Sequence, residues 1–337
     1  MQQEQEVVHR NGPHKRSRTY VFRTEARPGW GRMALAACLC AAILFSAFRL
    51  VNYAADYVRA RNASGDLRGM YYGPAGETTP LATASMTPVM TPTQTQMMTT
   101  PTAVAEVPQP SETPMPQRLP VVRYPDNPLL RVSERFARLR SEYGDVVAWL
   151  TIDGLLDEAV VQRDNIYYMT RDFRGRDNVN GALFLDEFVQ LNTRPYTLII
   201  YGHNMKTGAM FGSLRNYENL AFYRRNPFIT CNTMYEEGRY VIFSVTCLSM
   251  DAEDEEYFDI DSLDVRAPRR RSEAIEMLQR ASLLDAGIDV RPDDQLLLLL
   301  TCVGEETDRR IVAARRIRPG ETEEALLTQT SQAVQRQ

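Results

Sequence analysis

Three side chains with complementary chemistry sit at the ends of strand-like stretches. The apolar run Leu296-Leu297-Leu298-Leu299-Leu300 continues through Thr301 to Cys302. Asp308-Arg309-Arg310-Ile311-Val312 reads as a returning strand that brings arginine back toward that thiol. Earlier in the chain, Thr197-Leu198-Ile199-Ile200-Tyr201-Gly202 ends in His203. A thiolate attacks carbonyl carbon, and an imidazole moves protons near neutral pH. A guanidinium donates to an oxygen on which negative charge develops. Together these are the ingredients of thiol acyl transfer.

Each residue also has a plainer reading. Cysteine is among the most buried residue types, so Cys302 could be a core thiol. Its place at the edge of Val303-Gly304-Glu305-Glu306-Thr307, which reads as a loop, favours a reactive one. Cys247, in Val245-Thr246-Cys247-Leu248, is a rival with no returning arginine, and Cys231 lies in a polar, turn-like stretch and reads as incidental. His9 and His14 precede an apolar N-terminal run, so His203 is the one histidine left for the folded part. Side chains alternate along a strand. Arg310 therefore shares a face with Val312 and Ala314, and Arg309 shares the other with Ile311 and Ala313. Only one of the two can face the site. One histidine and three dispersed cysteines lack the paired spacing of a zinc centre. The acidic run from Asp251 to Glu256 reads as a solvated loop. With no Gly-rich phosphate loop either, neither metal nor cofactor is expected.

The rest of the chain must deliver and hold that chemistry. The 337 residues carry a net charge of -4, which gives no basis for nucleic-acid binding. Residues 1–32 hold seven Lys/Arg against three Glu and read as a basic cytoplasmic tail. Residues 33–52 read as a transmembrane signal anchor, near the roughly 20 residues that cross a bilayer. Basic residues before the run favour a cytoplasmic N-terminus and an extracellular catalytic domain. Residues 53–126 read as a juxtamembrane stretch followed by a Pro/Thr-rich linker, with Thr-Pro at 79–80, 87–88, 91–92, 100–101 and 113–114. Such a composition cannot bury a core, and it predicts a disordered spacer that holds the domain away from the bilayer. The globular domain is expected over 127–318, with 319–337 a polar C-terminal tail.

Within that domain, Leu129, Val132, Phe136, Leu139 and Tyr143 predict an amphipathic helix over 128–143. Strands are predicted at 146–152, 159–162, 182–185, 197–203, 240–248, 295–302 and 310–317, with helical patterns at about 213–225 and 272–284. Many short strands and few helices predict a mainly β, closed or nearly closed barrel.

These motifs resemble the sortase family, and class B within it. The resemblance rests on Thr197–Met205 and on Leu300-Thr301-Cys302 with Arg310-Ile311-Val312. Asp145–Leu150, Val160–Asn165, Phe184-Leu185-Asp186 and Met210–Leu214 add to it. The helix at 272–284 matches a class B insertion, and the likeness covers about 128–318. It implies a closed eight-stranded barrel and a membrane-anchored cysteine transpeptidase. It assigns Cys302 as nucleophile, His203 as general acid and base, and Arg310 as substrate and oxyanion stabiliser. The doubled Arg309-Arg310 leaves the last assignment open by one residue. The implied partners are secreted proteins with a C-terminal sorting signal, and an amine on a peptidoglycan precursor or pilin as acceptor. Two other readings stand beside it: another extracellular Cys/His acyl-transfer enzyme such as an L,D-transpeptidase, and a non-catalytic surface scaffold with Cys302 structural.

Overall fold

The computed structural model describes residues 30–73, 124–254, 257–264, 266–303 and 305–336; of 31, 32, 53–63, 302, 303, 305 and 306 it describes the backbone alone. The chain divides into two units, Met1–Tyr53 and Ala54–Gln337. The described part of the first is helical, within α1 (Trp30–Tyr72). Met33–Asn52 is long and apolar enough to cross a membrane, and its side chains are exposed.

The second unit is built on eight strands: β1 (Val146–Ile152), β2 (Leu156–Val161), β3 (Leu183–Leu185), β4 (Thr197–Tyr201), β5 (Phe228–Thr233), β6 (Arg239–Ser249), β8 (Leu296–Val303) and β9 (Glu305–Arg316). They close in the order β1-β2-β3-β4-β8-β9-β6-β5. The pairs β2–β3 and β4–β8 are parallel, and the others are antiparallel. The predicted closed barrel is therefore observed.

β8 is apolar along its length because both of its faces are covered, as strands buried on two sides require. Leu296 through Leu300 are all buried. Leu297 and Leu299 share the interior face with Leu198 and Ile200 of β4. On the outside, α4 (Pro268–Arg280) covers β6: Ser244 and Thr246 donate from their hydroxyls to the carbonyls of Leu278 and Ala281. Arg271 of this helix is fully buried. It donates to the carbonyls of Pro292, Leu263, Tyr196 and Asp294 and to the Thr197 hydroxyl, which pins α4 to the start of β4. Burial lowers its pKa to about 10, so it remains charged at neutral pH. A second outer cluster contains Phe136 and Leu139 of α2 (Glu134–Glu142) with Val146, Trp149 and Phe184 of the sheet.

Four local expectations change. The first helix starts at Glu134 rather than 128, because Asn127 bonds both backbone groups of Arg131 and Leu130 takes a positive φ of 51°. Strand β5 went unpredicted, and it carries Cys231 into the barrel, where burial pushes the thiol up to about 12. The 303–307 stretch, expected as a loop, continues both strands apart from residue 304, which lies outside the described residues. Residues after 318 are no tail. Glu323–Ser331 forms helix α5 with Leu326 and Thr330 buried, and β10 (Val334–Gln335) pairs with β7 (Leu284–Asp285).

Candidate active site

The parallel ladder between β4 and β8 pairs Thr197 with Leu296 and continues step by step to Tyr201 with Leu300. The Gly202 amide extends it by donating to the Leu300 carbonyl at 3.2 Å. One further step in that register brings position 203 alongside position 302. Neighbouring strands lie about 4.8 Å apart. On the other side of β8, the antiparallel ladder pairs Cys302 with Arg309. Directly opposed residues of such a ladder belong to one face. Positions 302 and 309 therefore share one face of β8 and β9, and position 203, two residues beyond the end of β4, follows the same register toward them. They continue the outer face that carries Tyr201, Leu300 and Ile311.

His203 is held from below and behind. Its Nε2 lies 2.6 Å from the Met169 carbonyl oxygen. A carbonyl only accepts, so Nε2 carries the proton and Nδ1 is left for transfer. Gly181 makes the approach possible. It takes φ +60°, and a Cβ there would lie 2.6 Å from the Tyr168 oxygen, 2.8 Å from the Met169 oxygen and 3.1 Å from the His203 ring. Gly202 sets the strand end: a Cβ would lie 2.5 Å from Leu183 and 2.8 Å from Phe211. Tyr201, beside these positions, donates its hydroxyl to Asp186 at 3.1 Å, and burial followed by that carboxylate raises its pKa.

Arg310, the arginine that the resemblance assigned, lies on the opposite face of β9 from Arg309. It stands opposite Thr301 on β8 and Cys247 on β6, and its side chain is 6% exposed. It pairs with Glu218 at the end of the 3-10 helix Phe211–Glu218. The alternation along β9 is the reason, since the register that sets Arg309 opposite Cys302 necessarily turns Arg310 inward. Cys247, the rival thiol, has its pKa raised by burial, with Arg310 opposing the shift. Met169, Gly181 and Glu218 carried no assignment from sequence. Only Gly181 left a signal there, as the glycine of an Asn-Gly pair (Asn180-Gly181) that suits a turn with positive φ.

Cysteine, histidine and arginine positions brought toward one another can supply attack, proton transfer and oxyanion stabilisation. No family model matches the chain. Sortase B of Staphylococcus aureus is 25% identical over 190 residues, covering 55% of this chain and 75% of the relative. Sortase B of Listeria monocytogenes is 29% identical over 174 residues, covering 48% of this chain and 64% of the relative. Among solved structures, sortase B of Bacillus anthracis superposes with a TM-score of 0.50 at 27% identity, over 58% of this chain and 87% of that one. With the barrel and the shared motifs, these likenesses support a class B-like sortase family for the chain.

Proposed function

We propose that the protein is a membrane-anchored cysteine transpeptidase that cleaves a C-terminal sorting signal and passes the acyl fragment to an amine. The family likeness supports a sortase-type transpeptidase, and the register that sets position 309 opposite 302 and leads 203 toward them carries the assignment of roles. The Cys302 thiolate attacks the scissile carbonyl. Arg309 donates to the oxyanion. His203, whose Nδ1 holds the proton taken from the Cys302 thiol, delivers it to the departing amine and later takes one from the incoming amine. Collapse of the tetrahedral intermediate leaves a thioester on Cys302. The acceptor amine, from a peptidoglycan precursor or a pilin, resolves it and regenerates the thiolate. Arg309 takes the role that the sequence resemblance gave to Arg310, because the Cys302–Arg309 pairing gives it the shared face. Met33–Asn52 serves as the anchor, with the N-terminus cytoplasmic and the barrel outside.

The test is an intact-mass measurement on the full chain in detergent with sorting-signal peptides of the Asn-Pro-x-Thr type. The expected result is an acyl adduct on Cys302 that is absent in Cys302→Ala and strongly reduced in His203→Ala. Processing that survives Cys302→Ala would sink the reading.

A further inference from the structure

The last turns of α1 belong to the barrel unit. Ser64, Leu67 and Tyr71 are buried there, at the spacing of one helix face. The Tyr71 ring stacks on Trp149 with centroids 4.2 Å apart and 5° between planes, and it meets Phe136 edge-on at 5.7 Å. Its hydroxyl accepts from Asn232 at 2.9 Å. Around this aromatic centre the polar groups are matched. Arg68 donates to the Asp157 carbonyl and to Glu158, Tyr72 donates to the Asp157 carboxylate at 2.8 Å, and Arg174 pairs with Asp66. The Asp157 carboxylate also accepts from the Trp149 indole at 2.7 Å, so one carboxylate bridges sheet and helix.

The Pro/Thr-rich interval 74–123 lies outside the described residues, but both residues flanking it sit on this unit. Gly73 and Tyr124 line the same open pocket of about 710 Å³. Tyr124 is fixed there by its hydroxyl bond to the Leu191 carbonyl and by the Tyr235 ring at 5.7 Å.

We infer that segment 64–72 is an integral docked element of the catalytic unit, and that 74–123 is an excursion starting and ending on that unit, not the spacer that sets its reach. What links the apolar stretch to the docked element is residues 53–63, eleven in all. Fully extended, that link spans at most about 40 Å, against roughly 170 Å for the 50 residues of 74–123. The site then serves donors and acceptors that come close to the bilayer. This rests on reading Met33–Asn52 as an anchor; it does not depend on the catalytic assignment.

The test uses the full chain in lipid vesicles, with a specific protease site inserted after Gln96. Before cleavage the protein sediments with the vesicles. After complete cleavage the fragment carrying the barrel still sediments, and in a Leu67→Asp/Tyr71→Ala variant it moves to the supernatant. Release of the unmutated fragment on cleavage would overturn the inference, as would retention that the double variant leaves unchanged. If the uncleaved chain stays in the supernatant, the anchor reading fails instead. Docking is then read by gel filtration: the two cleaved fragments co-elute if the helix is docked and separate if it is not. As a second measurement, replacing 74–123 with a short Gly/Ser link leaves the melting temperature and the sedimentation unchanged. A chain that no longer folds would count against an excursion closed on the unit.

Discussion

Cys302 stands directly opposite Arg309 in the β8–β9 ladder, and Thr301 stands directly opposite Arg310. Two adjacent arginines therefore belong to opposite faces and should answer to different assays. Arg309→Ala is expected to lower kcat/KM by roughly 10²–10³-fold, the usual loss for one oxyanion donor, with little change in melting temperature. Arg310→Ala should instead act through stability. Kinetics and thermal unfolding of the two variants, measured together, separate the assignments; the reverse pattern would return the role to Arg310.

Glu218 is the ion-pair partner of the buried Arg310. Because Glu218 is 52% exposed while Arg310 is 6% exposed, Glu218→Ala should cost about 1 kcal/mol, between a surface pair and a buried one. Denaturant unfolding checks this. A neutral result would mean that Arg310 finds solvent at the barrel mouth.

Gly181 leaves no room for a side chain between the Tyr168 and Met169 carbonyls and the His203 ring. Gly181→Ala forces a non-glycine residue to φ +60° against those carbonyls, for about 1–3 kcal/mol of strain. Because the Met169 carbonyl also orients His203, the pH profile of kcat/KM should shift as well. A purely structural glycine would lower stability and leave the profile in place.

The C-terminal segment is predicted to be part of the stability of the barrel. Arg315 is buried and donates to both carboxylate oxygens of Glu321, at 2.6 and 2.8 Å. Burial pushes the Glu321 carboxyl up, but the Arg315 guanidinium together with the Arg318 amide and charge more than offsets it, and the net pKa is lowered. A carboxylate lowered in the folded state adds stability above its unfolded pKa and loses it as pH falls through the folded one. Glu321→Gln should therefore be less stable than wild type at pH 7, and the gap should close below about pH 4. Chemical unfolding at several pH values tests both halves. A constant gap would remove the ion pair as its cause.

Much of the site was legible from the chain because Cys302 and His203 each terminate a long apolar run. Such runs must be buried strands, and a polar residue at the end of a buried strand reaches the surface. The closed barrel was legible for a related reason, since period-two and fully apolar stretches dominate 146–316. Strand β5 was not: Thr230, Asn232 and Thr233 lower its apolar content, and their faces make sense only beside β1 and β6. The helix α5 has only Leu326 and Thr330 to bury, too faint a pattern to stand out. The docked end of α1 was hidden by the 50 residues between it and the next folded segment.

The sequence by itself determined that a cysteine, a histidine and an arginine end strands of one β domain behind an apolar N-terminal helix. It also determined that Arg309 and Arg310 lie on opposite faces, because alternation is a local property of the backbone. Which face carries the thiol depends on register between strands. Register is fixed by how the whole barrel closes and by which leucines it turns inward. Only the tertiary structure therefore set Arg309, and not Arg310, opposite Cys302, and only it brought Tyr71 onto Trp149.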